Sequence, residues 1–195
     1  SCMKRLLFLT VFLGGDIVSA RAHSPVPGIG EFYNGMLHPV LVPAHLVTLL
    51  ALGLVIGQHA PKSSNMALPA FIVALVAALA YPTPPVSDIA LLYLALACGL
   101  VAVLAFDIGA VGPAVFALAV AVLIGNSVNA DIPSEQSPWL LRAGSALGAT
   151  LILIVLGGMA ALLKSRWNGI AIRVLGSWVA AVALMIIALS FAPGA

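Results

Sequence analysis

Residues 37–57 read LHPVLVPAHLVTLLALGLVIG, an apolar segment of membrane-spanning length with His38 and His45 near one end. About 20 predominantly apolar residues are enough to cross a bilayer as a helix. Ionisable side chains are costly inside such a segment and by default indicate function. Imidazoles bind transition metals and exchange protons near neutral pH. The segment therefore predicts a membrane helix that handles a metal ion or protons.

The composition of the whole chain is that of a polytopic helical membrane protein. Of the 195 residues, 63% are hydrophobic and only 7% are charged, whereas soluble domains carry about 25% charged residues. The net charge of +2, with no basic run, argues against nucleic acid as a partner. We therefore expect an all-α membrane protein, a bundle of about six transmembrane helices whose main partner is the lipid bilayer.

Residues 1–22 have the features of a secretory signal peptide. Lys4 and Arg5 precede the apolar run LLFLTVFLGG, and Ala20-Arg21-Ala22 fits an A-x-A cleavage site. The run is shorter than a membrane span. Cleavage after Ala22 would leave His23 as the new N-terminus outside the cytoplasm; the alternative is an uncleaved first helix.

The remaining chain divides into an arm and a transmembrane domain. Residues 23–36 are rich in Gly and Pro and predict an extracytoplasmic arm. Residues 37–195 form the predicted six-helix domain. GxxxG spacings at Gly53–Gly57 and Gly144–Gly148 favour helix packing within the chain over dimerisation. The predicted spans are about 37–57, 66–81, 88–106, 110–125, 140–163 and 170–191.

The charged residues give this bundle an orientation. Cytoplasmic loops of membrane proteins carry an excess of Lys and Arg. With the mature N-terminus outside, most basic residues fall on inner segments and most acidic ones on outer segments, so both termini of this multi-pass protein are predicted outside. The inner segments hold Lys62, Asp107, Lys164, Arg166 and Arg173, and the outer ones hold Glu31, Asp88, Asp131, Glu135 and Arg142.

His38 and His45 are the strongest candidates for a metal site. Their spacing places both on one face of a regular helix, about 10 Å apart along its axis, which is too far for one ion because metal–imidazole bonds are about 2 Å long. Either the two rings are successive stations on a path, or Pro39 and Pro43 open the helix and bring them together. In the alternative without a metal, each ring bonds a group on a neighbouring helix or faces interfacial water.

The remaining candidate residues have weaker patterns. His23 combines a free amine with an imidazole and is a candidate metal ligand, unless the terminus is simply solvated. His59 fits a solvated residue of an inner turn, with an exit station as the alternative. Asp88 and Asp107 fit helix N-caps, and Cys98 fits a small buried hydrophobe. We find no nucleophile–base set, phosphate-binding loop or catalytic carboxylate pair in the sequence, so an enzyme is not expected.

At these residues the chain resembles the HupE/UreJ family, small bacterial membrane proteins associated with hydrogenase and urease gene clusters and regarded as nickel permeases. A signal peptide ends before His23, a Gly/Phe-containing arm leads to His38-Pro39, and His45 follows. The family pattern H-P-x-x-G-x-D-H falls on His38, Pro39, Val42, Ala44 and His45. Val42 replaces the glycine and Ala44 replaces the acid, which removes the negative charge that a divalent cation prefers.

The resemblance implies a permease or metal-handling protein of the bacterial inner membrane, for nickel, cobalt or copper. In this hypothesis His23 captures the ion, His38 and His45 pass it on, and Pro39 and Pro43 shape the site. The transported or bound metal ion would be the only cofactor. The missing acid favours the alternative, a non-transporting accessory subunit with a partner in a larger membrane metalloenzyme complex. A membrane enzyme with a histidine-bound metal is a third possibility that lacks enough ligands.

Overall fold

The computed structural model describes residues 28–81, 87–131, 138–167 and 169–191. The predicted signal peptide and His23 lie outside these ranges. Within them the chain is helical and forms no strand, which confirms the all-α class. The helices are α1 (Gly30–Leu41), α2 (Pro43–Gln58), α3 (Ser64–Ala80), α4 (Asp88–Leu104), α5 (Val111–Asp131), α6 (Pro138–Trp167) and α7 (Ile170–Ser190).

Each predicted span corresponds to one helix, except the first, which is a bent pair that begins at Gly30. Residues 30–36, predicted as part of the arm, are therefore helical. Helices α5, α6 and α7 are long and apolar enough to cross a membrane, and α1 with α2 would add a fourth crossing if the pair forms one span. Helices α3 and α4 are equally apolar but have only 17 residues each. Length and composition thus support three or four crossings in the described part of the chain, and six remains a prediction.

Helix α2 lies at the centre of the bundle and contacts every other described helix. From Ala51 to Gly57 all of its residues are buried. A helix that is apolar all round is the type that a bundle encloses. The other helices expose large apolar side chains, such as Val73, Leu162 and Trp178, as expected of surfaces that face lipid.

The bend between α1 and α2 measures 69° and is centred on Val42. A residue before proline is pushed out of the helical region, and Val42 has φ −92° and ψ 108° in front of Pro43. Pro43 then occupies the first position of α2, where a missing N–H costs nothing. The sequence Val42-Pro43 therefore explains where the first span breaks.

Small residues allow α1 to approach α6 at backbone distance. A Cβ added to Gly144 would overlap the Phe32 carbonyl oxygen, and one added to Gly148 would overlap that of Met36. Gly53 and Gly57 of α2 pack in the same way against α6. Both GxxxG spacings thus mediate packing within the chain, as predicted.

The two ends of the bundle differ in charge. At one end, Lys164 donates to the Ala60 carbonyl and Arg173 to that of Val103. Asp88 and Arg142 lie at the other end, where Arg142 donates to Asn129. Segments predicted on the same side of the membrane therefore do meet, whereas the direction of the bundle remains a prediction.

Candidate metal centre

His38 and His45 converge at the bend. The ring centroids are 5.2 Å apart with an interplanar angle of 46°, instead of the separation of about 10 Å along the axis of a straight helix. His38 lies in the last turn of α1, and His45 in the first turn of α2. His45 is fully buried and His38 is half-buried. Of the two arrangements that the sequence left open, the structure has the one with an opened helix.

The separation of the rings suits a shared ion. If a metal lies about 2 Å from one nitrogen of each ring at a tetrahedral angle, the ring centroids lie about 5 Å apart. The observed 5.2 Å matches this spacing. The helix dipoles at the bend have opposite effects on a bound cation, because the C-terminus of α1 favours it and the N-terminus of α2 disfavours it.

A hydrogen-bonded chain connects His45 to a carboxylate on another helix. The Nε2 atom of His45 lies 3.0 Å from Oγ of Ser127 in α5. The same hydroxyl donates to Oδ1 of Asp88 in α4, at 2.9 Å. His45 thus bonds a group on a neighbouring helix, as in the alternative without a metal, but the chain continues to an acid.

Asp88 does not have its predicted role. The N-cap of α4 is Ser87, whose hydroxyl accepts the Ile89 N–H at 3.3 Å. Asp88 is the next residue, and its carboxylate faces Ser127 instead of capping the helix. The N-cap prediction for Asp88 is therefore wrong, because the preceding serine already occupies the N-cap position.

The three residues do not form the arrangement of serine hydrolases. In those enzymes histidine lies between the serine and the acid, so that it can remove the serine proton. Here Ser127 lies between His45 and Asp88. Its proton is directed to the acid, so the geometry does not activate the serine as a nucleophile.

His59 and Asp107 lie at the opposite end of the bundle. The Nδ1 atom of His59 lies 2.9 Å from the Val55 carbonyl oxygen, and its Nε2 atom accepts the Ile108 N–H at 3.3 Å. His59 lies in a turn, as predicted, but it is half-buried and hydrogen-bonded to backbone instead of fully solvated. Asp107 accepts the Gly109 N–H at 3.0 Å, ahead of α5, so it stabilises the turn rather than capping the helix. Both border a cavity of about 720 Å³ that also contacts Lys62 and Lys164.

The metal-ligand set remains incomplete within the described ranges. They contain no group of three His, Cys, Asp or Glu side chains that could hold an ion. Of the predicted set, the structure brings His38 and His45 together, and His23 lies outside the described residues. Cys98 is fully buried, as predicted, and lies in a separate apolar cluster.

Comparison with protein families agrees with this architecture. The family model described as HupE / UreJ protein matches residues 11–186, which is most of the chain. The chain belongs to the HupE/UreJ family. This family is associated with nickel and cobalt transport. No curated protein and no solved structure matches the chain.

Sequence reasoning missed two polar contacts of this HupE/UreJ chain. Ser127 was not singled out, and neither was Thr48, which contacts the Ala44 and Leu91 carbonyls. For Thr48 the available signal was a polar residue inside a predicted apolar span, since buried polar groups must find partners. Ser127 had no such signal, because the predicted fourth span ended at residue 125, whereas α5 continues to Asp131.

Proposed function

We propose that this protein is a permease for a transition-metal ion in the bacterial inner membrane, with His38 and His45 as its ion-binding station. The observation that carries the proposal is the convergence of the two rings at a broken membrane helix. Membrane transporters use interrupted helices to build ion sites near the interrupted backbone. Membership of the HupE/UreJ family supports the same function.

The candidate ions are nickel, cobalt and copper. Neutral imidazole suits all three, and intrinsic affinity favours copper, whereas the family association favours nickel and cobalt. The signal peptide would be removed so that His23, at the mature N-terminus, captures the ion and transfers it to the pair. The chain offers no nucleotide-binding motif, so transport would be passive or ion-coupled.

The direct test is metal uptake by cells that express the protein. In cells that express His38→Ala/His45→Ala, we expect uptake of radiolabelled nickel, cobalt or copper to fall to the background measured in cells without the protein. The purified protein should carry one of these metals in elemental analysis, and the double variant should lose it. Both results follow from removal of the two described imidazoles.

A matched control replaces two side chains that do not line the site. Val73 and Val76 are exposed on α3, so Val73→Ala/Val76→Ala should retain uptake. Variant amounts in the membrane are compared by immunoblot. Undiminished uptake by the double histidine variant would overturn the permease proposal.

The alternative is an accessory subunit that does not transport. It is favoured because the described ranges contain no group of three His, Cys, Asp or Glu side chains that includes the pair. In this case purification in mild detergent should yield a constant partner chain and no stoichiometric metal. The histidines would then serve packing within a larger membrane complex.

A further inference from the structure

We infer that Asp88, acting through Ser127, is a positioning residue of the histidine pair, because it holds neutral His45 in the form protonated at Nε2. The nitrogen that keeps its lone pair for a divalent transition-metal ion is then Nδ1. The choice of a metal rests on the proposed function, whereas the protonation form of His45 does not depend on it.

The protons on the three groups determine the direction of each hydrogen bond. A hydroxyl has one proton to donate, and an ionised carboxylate only accepts. Ser127 donates its proton to Asp88, at 2.9 Å. Its oxygen therefore accepts the remaining bond, so the partner at 3.0 Å, His45 Nε2, must be the donor. A neutral imidazole with a proton on Nε2 has its lone pair on Nδ1.

Burial strengthens the hydrogen bonds that link His45, Ser127 and Asp88. His45 is 0% exposed and Ser127 is 5% exposed. Charges and dipoles interact more strongly in such surroundings than in water. Helix α5, which carries Ser127, packs closely on α3. A Cβ added to Gly125 of α5 would overlap the Cβ of Ala78 in α3. The hydroxyl is thus held on a rigid element.

The hydrogen-bonded series also supplies, through the Asp88 carboxylate, the negative charge that the first span lacks. Ala44 occupies the position where the family pattern has an acid, and two neutral imidazoles bring no negative charge. Metal-bound histidines commonly donate their second N–H toward a carboxylate, which fixes the ring and raises its basicity. Here Asp88 plays that part from α4, with a serine interposed.

The decisive experiment is nitrogen NMR of histidine in the complete protein in lipid nanodiscs, without metal. The two neutral forms of imidazole differ in their nitrogen shifts, and the His45 signal is assigned by its loss in His45→Gln. We expect the Nε2–H form in the natural protein. Ser127→Ala and Asp88→Ala should each give a mixture of forms, and Ser127→Thr, which keeps a hydroxyl, should restore the Nε2–H form.

Nickel binding by the same variants provides the second readout. Loss of a group that orients a metal ligand typically costs about 10- to 100-fold in affinity. We expect a loss of this size in Ser127→Ala and Asp88→Ala, and none in Ser127→Thr. Asp107→Ala is the matched control, because this acid lies in a turn at the other end of the bundle.

The outcomes separate this inference from the proposed function. An Nδ1–H form in the natural protein, or an Nε2–H form that persists in both alanine variants, overturns the role of Asp88. Equal nickel affinity in all variants also overturns it while the metal site stands. A third outcome is that the protonation form of His45 changes in Ser127→Ala and Asp88→Ala, but neither the natural protein nor any variant binds nickel, cobalt or copper. The positioning role then stands and the permease proposal fails.

Discussion

At the scale of single residues, a hydroxyl replaces a hydrogen bond that a proline removes. Pro39 lies inside α1 and has no N–H for the Gly35 carbonyl one turn earlier. Ser145 of α6 donates to that carbonyl at 3.1 Å. An unsatisfied backbone group is costly in a bilayer because no water replaces the lost partner. Ser145 thereby also ties α1 to α6 next to the histidine pair.

Replacement of Ser145 tests this role. We expect Ser145→Ala to lower the free energy of unfolding by about 1 kcal/mol, since it leaves the Gly35 carbonyl without its donor. The measurement is unfolding in mixed detergent micelles. Ser165→Ala is the control, because this hydroxyl bonds the carbonyl of Leu162 on the exposed surface of the same helix. Equal stability of the two variants would contradict the prediction.

Part of the site could be predicted from the sequence because its residues are close together in the chain. His38, Pro39, Pro43 and His45 lie within one short stretch, and helix geometry alone limited the pair to two arrangements. Ser127 lies 82 residues from His45 in the chain. Its role depends on how α5 packs, which no local pattern contains.

At the scale of helices, the position of α1 depends on glycines of α6. The apolar runs indicated the helices, and Pro39 and Pro43 made a helix opening one of two alternatives, but the direction of α1 after a break depends on its contact with another helix. That contact is made at Gly144 and Gly148, where the backbones nearly touch. For this reason the sequence left open whether the helix opens and brings the two rings together.

A methyl group at this contact should separate α1 from α6. We expect Gly144→Ala to lower the free energy of unfolding by about 1–3 kcal/mol, as overpacking does, and to weaken nickel binding although both histidines are intact. Gly158→Ala is the control, because a Cβ there meets nothing within 4 Å in the same helix. Detergent unfolding and nickel titration provide the two measurements. Unchanged nickel affinity in a destabilised Gly144→Ala would show that the pair does not depend on this contact.

At the scale of the whole molecule, the histidine pair and the lysines lie at opposite ends. The hydrogen-bonded series from His45 through Ser127 to Asp88 lies at one end. Lys62 and Lys164 border the cavity at the other end. If the lysine end is cytoplasmic, as the positive-inside rule predicts, an ion from outside reaches the pair before it reaches the interior of the bundle. The orientation thus decides whether the pair is an entrance or an exit.

Cysteine labelling in spheroplasts tests this orientation. In a Cys2→Ser/Cys98→Ala background, Glu31→Cys in the first turn of α1 should react with a membrane-impermeant maleimide from outside. Asn65→Cys, exposed at the start of α3 beside the lysine end, should react only after the membrane is opened; this change leaves the lysines in place. The reverse pattern would contradict the prediction and place the pair on the cytoplasmic side. The same hydrogen-bonded histidines would then receive ions from the cytoplasm, and a permease built on them would be better suited to export than to uptake.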